Sequence, residues 1–139
     1  MPHLVIQHTP NIDTDFQLLA RTLLKTILSI RDKEGQQVFP EGGTRVMTFK
    51  ADTASVGDGE GDYGFIFLNL RIVAGRDPEV VKATGERLLE AVKAHVEPVF
   101  GKPAMGVTLN IEETPKQLPG PTMLVYEGFH NGLRAIFGR

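Results

Sequence analysis

The sequence predicts an α+β protein in which two β-α-β units form a four-stranded sheet with two helices on one face. Three observations predict it. Apolar residues alternate over Tyr63–Val73 and Met105–Ile111, the period of half-buried strands. They recur at helical spacing over Phe16–Ile30 and Val81–Val99. The segments run strand, helix, strand, and then repeat that order, with a turn near residues 56–62 between the halves.

The first strand begins almost at once, with Leu4-Val5-Ile6 inside residues 3–8, and Thr9-Pro10-Asn11 ends it. Asp13-Thr14-Asp15 supplies capping and acidic first-turn chemistry for a helix. Phe16, Leu19, Ala20, Leu23, Ile27 and Ile30 give that helix one apolar stripe, and it should fade near Arg31–Gly35. Phe39-Pro40-Glu41-Gly42-Gly43 reads as a loop, and Arg45–Thr53 as the next strand, with Met47, Phe49 and Ala51 on one face. Asp58-Gly59-Glu60-Gly61-Asp62 reads as a hairpin turn.

In the second half, Ile66, Leu68, Leu70 and Ile72 share one strand face, and Phe65, Phe67, Asn69 and Arg71 the other. That second face is too apolar for water, so a partner subunit is expected on it. Asp77-Pro78 is an N-cap followed by proline at the first helical position. Val81, Leu88, Val92, Val96 and Val99 mark the helix, and Pro98 and Gly101 help to stop it. Met105, Val107, Leu109 and Ile111 mark the last strand. Pro115–Pro121 is a proline-rich linker, and Met123–Phe137 is apolar enough to dock as a short helix. One domain spanning 1–139 is expected, with residues 2–56 and 63–113 as the two units and 114–139 as an extension.

Composition narrows the function. The net charge of −2, from 15 basic and 17 acidic residues, offers no general attraction to nucleic acid or an anionic membrane. There is no cysteine, which excludes disulfides, thiol catalysis and cysteine-bound metals. No apolar run reaches spanning length, the first residues do not read as a secretory signal, and a cytoplasmic location is expected. No pair among His3, His8, His95 and His130 has metal-ligand spacing on one element, and His95 reads as a packing residue or a helix-end charge. Asp58, Glu60 and Asp62 imitate the start of a calcium loop, but Tyr63 and Asn69 occupy the positions that should be glycine and glutamate. No metal is expected.

Three residues stand out chemically. After removal of Met1, Pro2 would be a rigid secondary amine at a strand start, and burial and nearby cations would favour its neutral, basic form. A Met-Pro start alone is common and carries little weight. Arg45 and Arg76 each sit at a strand end beside glycines, where a sheet presents side chains to a pocket, and arginine grips carboxylates with paired hydrogen bonds. Surface solvation is the ordinary alternative for both, and more so for Arg71, which lies within a strand.

Phe39-Pro40-Glu41-Gly42-Gly43-Thr44-Arg45, Ala51-Asp52-Thr53, Asp58-Gly59, Asp62-Tyr63 and Ala74-Gly75-Arg76, in that order and spacing, resemble the 5-carboxymethyl-2-hydroxymuconate isomerase family of the tautomerase superfamily. Pro2-His3, Asn11-Ile12 and Ile111-Glu112-Glu113 extend the likeness over most of residues 2–113. The resemblance implies a tautomerase-like trimer with sites at subunit interfaces, Pro2 as catalytic base, and Arg45 and Arg76 as substrate-binding residues. It implies a cofactor-independent proton shift on an unsaturated di- or tricarboxylate during bacterial aromatic-acid (homoprotocatechuate) breakdown. Two departures are visible. Met47 stands where relatives often carry a second arginine, and the tail beyond Glu113 is longer and proline-rich. A tautomerase for another keto-enol acid and a non-catalytic trimeric module that binds small anions are the competing readings.

Overall fold

The computed structural model describes residues 2–115 and 131–138. The order is β1 (His3–His8), α1 (Phe16–Leu28), β2 (Arg45–Lys50), β3 (Tyr63–Val73), α2 (Pro78–Val96), β4 (Ala104–Thr114) and α3 (Asn131–Phe137), with single 3-10 turns at Glu41–Gly43 and Glu97–Val99. The helices start where the capping chemistry places them. The Asp15 carboxylate accepts from the Leu18 N–H at 2.9 Å, and the Asp77 carboxylate from the Glu79 N–H at 3.0 Å, so each satisfies an orphan donor of its first turn.

The four strands lie in the order β2-β1-β3-β4. β1 is parallel to β2, β3 is parallel to β4, and the central pair β1 and β3 is antiparallel. Each β-α-β unit therefore contributes a parallel pair, and the units meet back to back through β1 and β3. This corrects one expectation: residues 56–62 do not close a hairpin. β1 lies between β2 and β3, because the α1 crossover seats β2 on one edge of β1 and leaves the other edge to β3. Asn11 fixes that loop, its amide donating to the Asp62 carboxylate at 2.7 Å and to the Tyr63 carbonyl at 2.8 Å.

Alternation sorts the sheet into two faces. Leu4 and Ile6 of β1, with Ile66, Leu68, Leu70 and Ile72 of β3, are buried against Leu19, Leu23 and Ile27 of α1 and Leu88, Val92 and Val96 of α2. At roughly 1.5–3 kcal/mol for each fully buried aliphatic side chain, this layer is the main source of stability. Thr84, buried within α2, is kept satisfied by donating to the Val80 carbonyl at 2.7 Å. The opposite face has no covering layer among the described residues. Met47 and Phe49 are 45% and 50% exposed there, on the same side as the half-buried Phe65 and Phe67. The expected β2 strand ends early, at Lys50. Of the apolar tail, Asn131–Phe137 forms α3, which packs against the Glu41–Gly43 turn with Leu133, Ile136 and Phe137 exposed; residues 116–130, with nearly all of the expected proline-rich linker, lie outside the described residues.

Candidate active site

One end of the sheet collects the residues singled out from sequence. Pro2 is buried directly before β1, and its carbonyl accepts the backbone N–H of Arg45 at 3.1 Å. That bond is the first rung of the parallel β1–β2 ladder. It brings the start of β1 and the start of β2 to the same place. Since β3 runs antiparallel to β1, its end arrives there as well: His3 stands opposite Arg71, and the chain leaves β3 after Val73 directly through Ala74-Gly75-Arg76. Gly75 has φ +112°, a backbone state that side-chain-bearing residues rarely adopt, and this turn directs Arg76 back across the sheet end.

Arg45 is delivered by a tight turn. Gly42 and Gly43 are buried, the Gly43 N–H donates to the Pro40 carbonyl at 3.2 Å, and the Thr44 hydroxyl donates to the same carbonyl at 2.8 Å. Arg45 stands in register with His3, so its side chain belongs to the open face of the sheet.

Arg76 reaches the same end from the helix layer. Its guanidinium lies 4.8 Å from the ring centroid of Phe39, a fully buried residue, and Nη1 donates to the Val73 carbonyl at 2.7 Å. Burial pushes its pKa below the usual arginine value, and the Glu113 carboxylate pulls it back up; the group stays cationic at working pH. It borders a concavity of about 460 Å³ together with Gln37, Val38 and Asp77. Within one chain, then, Pro2 and Arg45 are brought together, while Arg76 shares their end of the sheet on the other side.

The register adds side chains that sequence reasoning passed over. Arg45, His3, Arg71 and Glu112 lie in one row across β2, β1, β3 and β4. Arg71 and Glu112 form an ion pair at 3.0 Å. Alternation shows which face Arg71 occupies, but only the strand order shows that it flanks His3. Two other described histidines pack: His8 stacks on Phe16 at 3.5 Å, and His95 Nε2 lies 3.0 Å from the Thr14 hydroxyl. Among the described residues no group of three or more histidine or carboxylate side chains is arranged to hold a metal.

Comparison with known proteins gives a consistent result. A family model for 5-carboxymethyl-2-hydroxymuconate isomerase matches residues 2–120. A 5-carboxymethyl-2-hydroxymuconate Delta-isomerase of Escherichia coli is 29% identical over 115 residues, 81% of this chain and 86% of the relative. A crystal structure of a 5-carboxymethyl-2-hydroxymuconate delta-isomerase is 36% identical and superposes with a TM-score of 0.81, covering 99% of this chain and 93% of its own. A symmetric trimer of fused 4-OT shares the fold at 21% identity and a TM-score of 0.56, covering 91% of this chain and 94% of its own.

Proposed function

The chain belongs to the 5-carboxymethyl-2-hydroxymuconate isomerase family, and from that premise we propose that Pro2, freed as the amino terminus by removal of Met1, is the general base of the isomerisation. The substrate is an unsaturated acid with several carboxylates, 5-carboxymethyl-2-hydroxymuconate first among them. Arg45 and Arg76, from the same or neighbouring subunits, grip the carboxylates and orient the carbon chain.

The chemistry follows from charge. Cations near Pro2 and burial both disfavour its protonated form, so the secondary amine stands neutral. It takes the proton from the substrate hydroxyl. The dienolate that forms places negative charge on oxygens facing the guanidinium groups, which were fixed before the reaction and need no reorganisation. Protonated Pro2 then returns the proton to a distant carbon. One group serves as base and then as acid, and that requires a pKa near the working pH. No cofactor is required for a proton shift of this kind.

The observation that carries this reading is the backbone hydrogen bond from the Arg45 N–H to the Pro2 carbonyl, because it brings these two residues to one sheet end. A homotrimer is part of the proposal. The exposed Met47 and Phe49 and the outer edges of β2 and β4 support it, as does the assembly of the fused 4-OT relative. So does the apolar groove of about 590 Å³ between α2 and β4, lined by Leu89, Phe100, Met105 and Val107. Residues 1–139 serve as one catalytic domain in the cytoplasm; no helix among the described residues is long and apolar enough to cross a membrane.

The test is turnover followed by ultraviolet absorbance. Pro2→Ala should lose about 100-fold or more in kcat, the usual worth of a positioned base, with little change in KM. Wild-type turnover in that variant would overturn the mechanism. Met47 favours a parallel trial of other keto-enol acids, since it gives the open face an apolar side chain 45% exposed.

A further inference from the structure

We propose that Arg71 is a further substrate-binding residue, the cation that accepts a third carboxylate, and that Glu112 is the positioning residue that aims it. The proposal rests on the isomerase reading above and deepens it, since it names the residue that would hold the third carboxylate of 5-carboxymethyl-2-hydroxymuconate.

Strand register gathers the charges first. Arg45, His3, Arg71 and Glu112 form a single cross-strand row, and alternation places all four on the face away from the helices, one residue beyond Pro2. The row holds two guanidinium groups and one imidazole against one carboxylate. Its excess charge is positive, at the end of the sheet where an anionic substrate must meet the amine.

The geometry of the ion pair orients one of those charges. Arg71 Nε and Nη2 both donate to the same oxygen of Glu112, at 3.2 and 3.0 Å. This arrangement fixes the plane of the guanidinium yet leaves its Nη1 edge without a protein acceptor among the described residues. A pair with both side chains about two-fifths exposed adds little to folding. It does hold a long, flexible side chain in one orientation, which lowers the ordering cost of gripping a ligand.

The space beside it has the right character. Arg71 and His3 form the cationic end of a concavity of about 400 Å³, whose wall continues through Val5, Met47 and Phe67, with the amides of Asn69 and Gln7 beside them. That volume falls within the range of small-molecule sites. A cationic end with a wall that mixes apolar side chains and neutral amides suits an unsaturated carbon chain that carries a carboxylate on a short branch.

The experiment compares the full chain with its Arg71→Met, Arg71→Lys and Glu112→Gln variants on two substrates, 5-carboxymethyl-2-hydroxymuconate and 2-hydroxymuconate, which lacks the carboxymethyl arm. Arg71→Met should raise KM for the tricarboxylate about 10-fold or more, as loss of a charge-assisted contact does, with kcat changed less than about 2-fold. It should leave KM for the dicarboxylate nearly unchanged. Arg71→Lys should recover part of the loss, and Glu112→Gln should raise the tricarboxylate KM only about 2- to 5-fold, since one acceptor oxygen remains.

Equal loss on both substrates, or no loss on either, overturns the proposal. Should Arg71→Met fold poorly, the double replacement Arg71→Met with Glu112→Met removes the unpaired charge, and wild-type selectivity in that protein overturns the proposal equally. Calorimetric binding of propane-1,2,3-tricarboxylate against glutarate reads the same preference without turnover. A wild type that binds the triacid selectively but isomerises nothing refutes the catalytic reading while leaving the assignment of Arg71 standing.

Discussion

The seat of Arg76 on Phe39 can be tested by a double-mutant cycle. The guanidinium lies 4.8 Å from the ring centroid, the ring is fully buried, and the guanidinium is half-buried. A fully exposed cation–π contact is worth about 0.5 kcal/mol and a desolvated one about 2, so a half-buried one should contribute about 1 kcal/mol. Phe39→Leu should cost about 1–2 kcal/mol through the loss of ring volume and of this contact. Arg76→Met should cost about 1 kcal/mol, since the lost bond to the Val73 carbonyl is partly offset by relief of a charge that burial disfavours. The double variant should then be less destabilised than the sum by about 1 kcal/mol, the coupling expected of residues in contact. Urea unfolding of the four proteins at one fixed protein concentration measures it, with an unchanged m-value as the control. Because the ring also fixes where the guanidinium points, Phe39→Leu alone should raise the substrate KM several-fold with Arg76 still present. Additive stabilities, with coupling below about 0.3 kcal/mol, and an unchanged KM would refute the claim that Phe39 positions Arg76.

Two further outcomes are expected. Arg45→Met keeps the backbone bond to the Pro2 carbonyl, so its effect reads the guanidinium alone; kcat/KM should fall about 10- to 100-fold. The pH–rate profile should shift upward as well, since removing a cation lets the amine hold its proton to higher pH. Asn11→Ala removes the bonds to the Asp62 carboxylate and the Tyr63 carbonyl and should cost about 1–2 kcal/mol, partly offset because the side-chain Oδ1 of Asn11 is buried without a partner among the described residues. Hydrogen exchange should show faster opening of the 57–62 amides, with the β1–β3 amides unaffected.

Much of the architecture was legible in local pattern. The alternation of Ile66, Leu68, Leu70 and Ile72 and the Asp77-Pro78 helix start were readable because each is set by residues a few positions apart. Strand order is set by crossovers and edges, and a glycine-rich turn at 56–62 looks the same whether its flanking strands pair or lie one strand apart. Met47 and Phe49 were placed on one face, but only the pairing with Val5 and Gln7 assigned that face to the side away from the helices. Pro2 drew notice as the residue that follows Met1 at a strand start, and Arg45 and Arg76 as arginines at strand ends beside glycines; the backbone hydrogen bond between Pro2 and Arg45 came only from the parallel pairing of β1 with β2. Arg71 was not legible, since its meaning lies in His3 across one strand boundary and Glu112 across another, 41 residues along the chain.

The most direct measurement is a titration of the Pro2 nitrogen by NMR, using protein labelled with ¹⁵N-proline and purified as the assembled oligomer. A free amine that loses its proton near neutral pH, and that titrates higher in the Arg45→Met variant, is what a base beside a guanidinium must give. An amide signal from a nitrogen still joined to Met1, or an amine that stays protonated well above neutrality, would contradict it.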